Sequence, residues 1–185
     1  MLQKEIINEL EKRITKIRSW AESLKQKPES ELRAQPAEKS WSALECIDHL
    51  NRYNDFYIPV FRRAIENSKL KTSENYKPGW LGKKLAEDML PKDGRIKSTM
   101  KTFKSKNPSL DGIDANALEK FIAYQSDFIS ILQKCKSINL GGNRVSTTIP
   151  MLKLKFGDAL RFVVYHQVRH VEQAQRAINK HLQTP

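Results

Sequence analysis

Cysteine is scarce: Cys46 and Cys135 are the only two in a chain of 185 residues. That excludes a disulfide-built scaffold and suits a reducing compartment. Glycine is sparse as well, with seven. None of the seven falls in a G-x-G-x-x-G fingerprint, a P-loop or a G-x-S-x-G elbow. Dinucleotide, nucleoside-triphosphate and acyl-serine chemistries therefore have no support. No run approaches the roughly 18 apolar residues that a membrane span needs. The opening stretch MLQKEIINELEKR carries a charge every few residues and has no apolar signal-peptide core. These absences predict a soluble, cytoplasmic protein. Strand-like alternation is nearly missing too, with RVSTTIP the one candidate.

Helical periodicity is abundant. Leu2, Ile6, Leu10, Ile14, Ile17, Trp20 and Leu24 recur at three- and four-residue steps and predict a first amphipathic helix. Lys27 to Pro36 reads as a connection. Ser42 and Glu45 form a capping box, with Trp41 placed to staple onto Cys46. The second helix then runs to about Asn67, and Pro59 inside it predicts a kink, because its ring crowds the carbonyl of Asp55. A third helix is expected over about Ala115–Lys136 and a fourth from Gly157-Asp158 through Ile178, with 143–156 as an extended or irregular crossover. The prediction is an all-α protein: one domain over residues 1–185, built as a four-helix bundle with a long connection between helices 2 and 3.

That connection, residues 68–113, holds much of the positive charge. The whole chain has 33 Lys and Arg against 21 Asp and Glu, a net +12. Lys69 to Lys106 alone carries eleven basic and four acidic residues, a net +7. Within it Trp80 to Met89 reads as a short helix. A connection this long is expected to be functional or to have its own order.

Four histidines are present, and His49, His166 and His170 fall in the bodies of predicted helices. His166 and His170 stand one helical turn apart, with Cβ atoms roughly 6 Å from each other. That spacing suits two imidazoles on one ion, and it equally suits a pair of hydrogen-bonded core residues. His49 lies on another helix, which a bundle core can bring against the pair. His181 reads as solvated or as complementing the dipole at a helix end. No H-E-x-x-H is present, so the zincin proteases are excluded.

The run PAEKSWSALECIDHL, followed far downstream by GDALRFVVYHQVRHVEQAQR, resembles the DinB-like (DinB/YfiT) superfamily of metalloenzymes, and within it the bacillithiol-transferase branch. The shared pattern is a Trp-Ser helix start leading to a histidine, here Trp41, Ser42 and His49, then a late helix bearing H-x-x-x-H, here His166 and His170. The resemblance implies a four-helix bundle with a divalent ion, zinc or nickel, on those three histidines, and no fixed reaction. Some members use low-molecular-weight thiols such as bacillithiol or mycothiol, and some isomerise. Three neutral imidazoles leave an open position, at which a bound water or thiol ionises near neutral pH. The reading is a metal-dependent thiol S-transferase or hydrolase acting on a small molecule.

Around the trio, Glu45 lies one turn before His49 and Tyr53 one turn after. Both can point to the ion, although Glu45 also serves the capping box and Tyr53 equally suits packing. Gln173 suits a contact to substrate or to the ligand His170, or a polar place at the rim. Cys46 reads as a small core residue and Arg169 as an exposed or salt-bridged side chain. Lys83, Lys84, Arg95 and Lys97 are candidate counter-charges for an anionic cofactor, or simply a solvated face. Two alternatives compete: a basic module binding nucleic acid, supported by a pI of 9.7, and a bundle whose metal is structural. A homodimer is compatible with an amphipathic bundle basic on one side, although no residue specifies an interface.

Overall fold

The computed structural model describes residues 1–69, 71–90 and 102–182. In order these form α1 (Gln3–Ser23), a 3-10 turn (Leu24–Gln26), α2 (Glu29–Arg33) and α3 (Ala43–Glu66). There follow α4 (Trp80–Met89), a second 3-10 turn (Lys104–Lys106), α5 (Pro108–Asp111) and α6 (Ala117–Cys135). The chain ends on the strands β1 (Arg144–Ser146) and β2 (Lys153–Lys155) and the helix α7 (Phe156–Leu182). The protein is mostly helical. No helix among the described residues is long and apolar enough to cross a membrane.

The four long helices α1, α3, α6 and α7 pack on one another along the stripes their periodicity builds. Leu10, Ile14, Ile47, Leu50, Phe121 and Leu160 are buried in one continuous core. His49 meets His166 while Phe61 meets Phe156, so α3 and α7 run antiparallel. The Phe61 ring sits 5.4 Å from Phe156 and 6.3 Å from Phe128, tying three helices together. Deleting such a ring costs about 3–5 kcal/mol. α3 runs through Pro59 unbroken. Pro59 faces solvent, so water can serve the carbonyl its missing N–H frees.

Two departures from the sequence reading stand out. The expected connection after α1 contains α2, which starts directly after Pro28 and is too short for periodicity to reveal. The expected extended or irregular crossover contains an antiparallel hairpin whose first strand lies in the RVSTTIP candidate, with Arg144 opposite Lys155, Val145 opposite Leu154 and Ser146 opposite Lys153. Its second strand, KLK, shows only one apolar residue. The basic connection has the order expected of it, with Trp80–Met89 helical as α4, which packs on α7. There Asp158, 1% exposed, accepts from the Tyr76 hydroxyl at 2.5 Å and from the Gly79 N–H at 2.8 Å. Gly82 permits the approach, since a Cβ there would come within 2.5 Å of the Asp158 side chain. This latch ties the start of α4 to the first turn of α7.

Candidate metal centre

The capping box forms as the sequence predicts. Ser42 Oγ accepts from the Glu45 N–H at 3.2 Å, and Glu45 Oε2 accepts from the Ser42 N–H at 2.8 Å. α3 therefore starts in fixed register, which carries His49 into the core at 2% exposure. From α7, His166 is buried and His170 half-buried, one turn apart. The three rings converge. Their centroids are 4.5 Å (His49–His170), 4.6 Å (His166–His170) and 5.2 Å (His49–His166) apart. One nitrogen from each lies within 4.8 Å of the others, close enough to hold a single metal ion.

The outward-facing nitrogens determine what the inward ones offer. His49 Nδ1 lies 2.6 Å from the Lys106 carbonyl oxygen and His170 Nδ1 lies 3.0 Å from Gln173 Oε1. Oxygen acceptors require N–H donors, so these contacts assign the Nδ1–H tautomer to both rings and leave each Nε2 with its lone pair. His49 Nε2 and His166 Nε2 stand 3.3 Å apart. A tetrahedral ion with Zn–N bonds of ~2.0–2.1 Å spaces two ligands by about 3.3–3.4 Å. The donor set and this spacing fit a divalent ion.

Burial keeps the rings uncharged. It pushes His49 down to about 4, against the raising effect of the Lys106 carbonyl and with the help of the Arg52 and Lys106 charges. His166 is pushed well below the usual imidazole range by burial, then by His170, His49 and Arg169. His170 follows for the same reasons, partly offset by its bond to Gln173. Neutral imidazoles are the ligating form.

Aromatic rings close round the trio. Trp41 lies 4.8 Å from His49 and 5.9 Å from His170, Tyr53 lies 5.0 Å from His49 and 4.7 Å from His166, and Phe162 stacks parallel to His166 at 6.1 Å. Behind His49 runs a strap, residues 104–112, held to α3 by Arg52. That guanidinium binds Asp48 at 2.8 Å, Asp111 at 2.7 Å and the Gly112 carbonyl at 2.8 Å. Lys106 Nζ also donates to the Arg52 carbonyl. Ser109 Oγ donates to Glu45 Oε1 at 2.6 Å. In front, His166 and His170 open onto a cavity of about 500 Å³ whose wall also includes Trp41, Tyr53, Phe162 and Gln173.

The structure therefore brings Tyr53 and Gln173 against the histidines. Glu45 serves the helix cap and the strap; burial raises its carboxyl, but hydrogen bonds from Ser109, Ser42 and Gln35 outweigh this and hold it below its ordinary value. Cys46 is a fully buried core thiol, pushed up by burial, and stands outside the ligand group. Arg169 departs from its expected place: it is 7% exposed and lines the cavity. Lys83 and Lys84 pair with Glu87 and Asp88 on α4's own surface and do not line the cavity. Arg95 and Lys97 lie outside the described residues, as does the side chain of His181.

Sequence reasoning missed four contributors. Trp41 figures in the sequence as a staple and in the helix-start pattern but not as a wall of the site, although a ring one residue before the cap of a histidine-bearing helix is a usable signal. The Lys106 carbonyl has no sequence signature at all. Arg169 and Arg176 share the helical phase of Gln173, which periodicity alone could have found.

No curated protein and no solved structure matches the chain. The family model of the DinB superfamily matches residues 9–174. That span takes in α3, the strap, the hairpin and all three histidines, and the chain belongs to the DinB superfamily.

Proposed function

We propose that this chain is a metal-dependent enzyme acting on a small molecule, with His49, His166 and His170 as the ligands of one divalent ion. The observation that carries the reading is the convergence of three uncharged imidazoles beside a cavity. In this reading α1, α3, α6 and α7 are the four helices of one bundle domain over residues 1–185. Zinc or nickel held there supplies Lewis acidity, which makes a nucleophile of a water or a thiol near neutral pH.

The chain's own residues do the positioning. The Lys106 carbonyl and Gln173 hold two ligand rings in one tautomer and one orientation. Tyr53, pushed up to about 12 by burial and then by Tyr57, keeps its proton. It can donate a hydrogen bond to an oxygen in the cavity and cannot act as a base there. No aspartate or glutamate lines the cavity among the described residues. The Glu45 carboxylate already accepts from Ser42, Gln35 and Ser109.

A free thiol, with a pKa near ~8.5, starts far closer to ionisation than water and asks less of the ion. Together with the resemblance to the bacillithiol-transferase branch, this favours an S-transferase using a low-molecular-weight thiol over a hydrolase. In such a transfer the sulfur bonds to an electrophilic carbon, the leaving group departs with its electron pair, and the thiol proton passes to solvent. The test is loss of a chromogenic electrophile by the metal-loaded protein with and without added thiol. Thiol-dependent turnover that vanishes in His166→Ala supports transfer. Product without thiol supports hydrolysis, and bound metal with neither activity makes the ion structural.

A further inference from the structure

The cavity beside the histidines is polarised along α7. Phe162, His166, Arg169, Gln173 and Arg176 line it at four- and three-residue steps, one stripe of the helix, with His170 beside Arg169. Around Phe162 the wall is apolar, completed by Leu85 and Met89 of α4 and by Leu152 and Leu154 of the hairpin. Arg169, midway along the stripe between the two histidines, Arg176 at its far end and Lys39 also line the cavity. Among the described residues lining the cavity, none is acidic. Arg169 is 7% exposed, so its charge sits in the wall rather than on the open surface. Arg176 faces Glu172 at 3.8 Å across an exposed pair, which binds weakly and leaves the guanidinium open to exchange. Lys39, on left-handed backbone at φ 60°, is exposed, and its ammonium lies 3.7 Å from Glu38 in a surface pair that water screens. A volume of about 500 Å³ is that of a small-molecule site.

We propose that the cavity binds a small amphiphilic carboxylate, its anionic group against Arg169, Arg176 and Lys39 and its apolar body against Phe162, Leu85 and Met89, so that the molecule lies across the histidine trio. The inference rests on the trio being the reaction centre and names the class of molecule brought to it. Seven residues separate Phe162 from Arg169, roughly 10 Å of helix. That is the length of a phenyl ring joined to a carboxylate by three methylenes. The apolar end selects against a fully hydrated anion, and the cationic end selects against a neutral hydrocarbon. A polynucleotide backbone has no apolar body to fill the Phe162 end.

Trp41 in the wall provides the readout. Full-length protein, metal-free and again after zinc addition, is titrated at pH 7.5 with 4-phenylbutyrate, 4-phenylbutanamide and 4-phenylbutylamine while tryptophan fluorescence is followed. We expect the metal-free protein to bind the carboxylate at least tenfold more tightly than the amide and to leave the amine unbound. The double variant Lys39→Gln, Arg176→Gln lies at the cavity mouth; it should lose most of that preference while its amide affinity stays unchanged. Equal affinity for carboxylate and amide, a preference untouched by the double variant, or binding of none of the three overturns the inference. Zinc is titrated separately against a chromophoric chelator. Stoichiometric zinc without carboxylate selectivity removes this inference alone. Selectivity in a protein that takes up no zinc removes the metal reading instead.

Discussion

Replacing Gln173 by leucine isolates what orientation of a ligand ring contributes to the candidate metal site. Gln173 Oε1 accepts from His170 Nδ1 at 3.0 Å, and that bond is what commits Nε2 to carry the lone pair. Leucine is close to glutamine in size and makes no hydrogen bond, so the ring keeps its neighbours and loses its anchor. A neutral hydrogen bond contributes about 1 kcal/mol. Free choice between two tautomers costs about another 0.4 kcal/mol. Together they amount to about 1.4 kcal/mol, a tenfold weakening of metal affinity. Gln173 is half-buried at the cavity wall, so folding stability should change by less than about 0.5 kcal/mol. Gln173→Glu should act oppositely, because a charge-assisted bond is roughly twice as strong as a neutral one. The assay is competition for zinc with a chromophoric chelator at pH 7.5, paired with a denaturant titration. Unchanged zinc affinity in Gln173→Leu, with the fold intact, refutes the claim that this bond positions His170.

Other outcomes follow from the same geometry. Metal-free protein should lose stability as pH falls from about 6.5 to about 4: burial holds His49 near 4 in the fold against about 6.5 when unfolded, so the unfolded state binds more protons across that window. The loss is on the order of 3 kcal/mol from His49 alone, and denaturant titrations at pH 7 and 4.5 that agree would contradict it. Arg52→Ala releases Asp111 and Gly112 of the strap from α3 and should weaken zinc binding at least tenfold. Hydrogen exchange at residues 106–112 should rise with it, while Arg52→Lys retains part of both effects; unaltered exchange removes the strap from the account. Tyr76→Phe deprives buried Asp158 of its hydroxyl donor and should cost about 1.5–3 kcal/mol, read as a lower denaturation midpoint; no shift means the latch does not hold α4.

The helices were legible because their cores repeat at three and four residues and because Ser42 and Glu45 announce where α3 begins. Trp80–Met89 was readable in the same way despite its basic surroundings. The histidine pair was legible because spacing within a helix is fixed by the helix itself. The third partner, His49, needed the resemblance, since no local rule brings it to residues more than a hundred positions away. The strap escaped for a different reason: its contact with His49 is a backbone carbonyl, which every residue carries. The cations of the cavity were hidden among 33 basic residues, and the structure sorts them by burial, with Arg169 turned inward and Lys83 and Lys84 left on the surface. β2 was invisible because two of its three side chains are lysines.

X-ray absorption at the zinc edge of tag-free protein loaded with one equivalent of zinc bears most directly on the site. Imidazole ligation from His49, His166 and His170 predicts three nitrogen scatterers at ~2.0–2.1 Å with the outer-ring pattern of histidine, plus one light donor, and loss of one imidazole in His49→Ala. Uptake below a tenth of an equivalent, or a first shell without imidazole scattering, would contradict it.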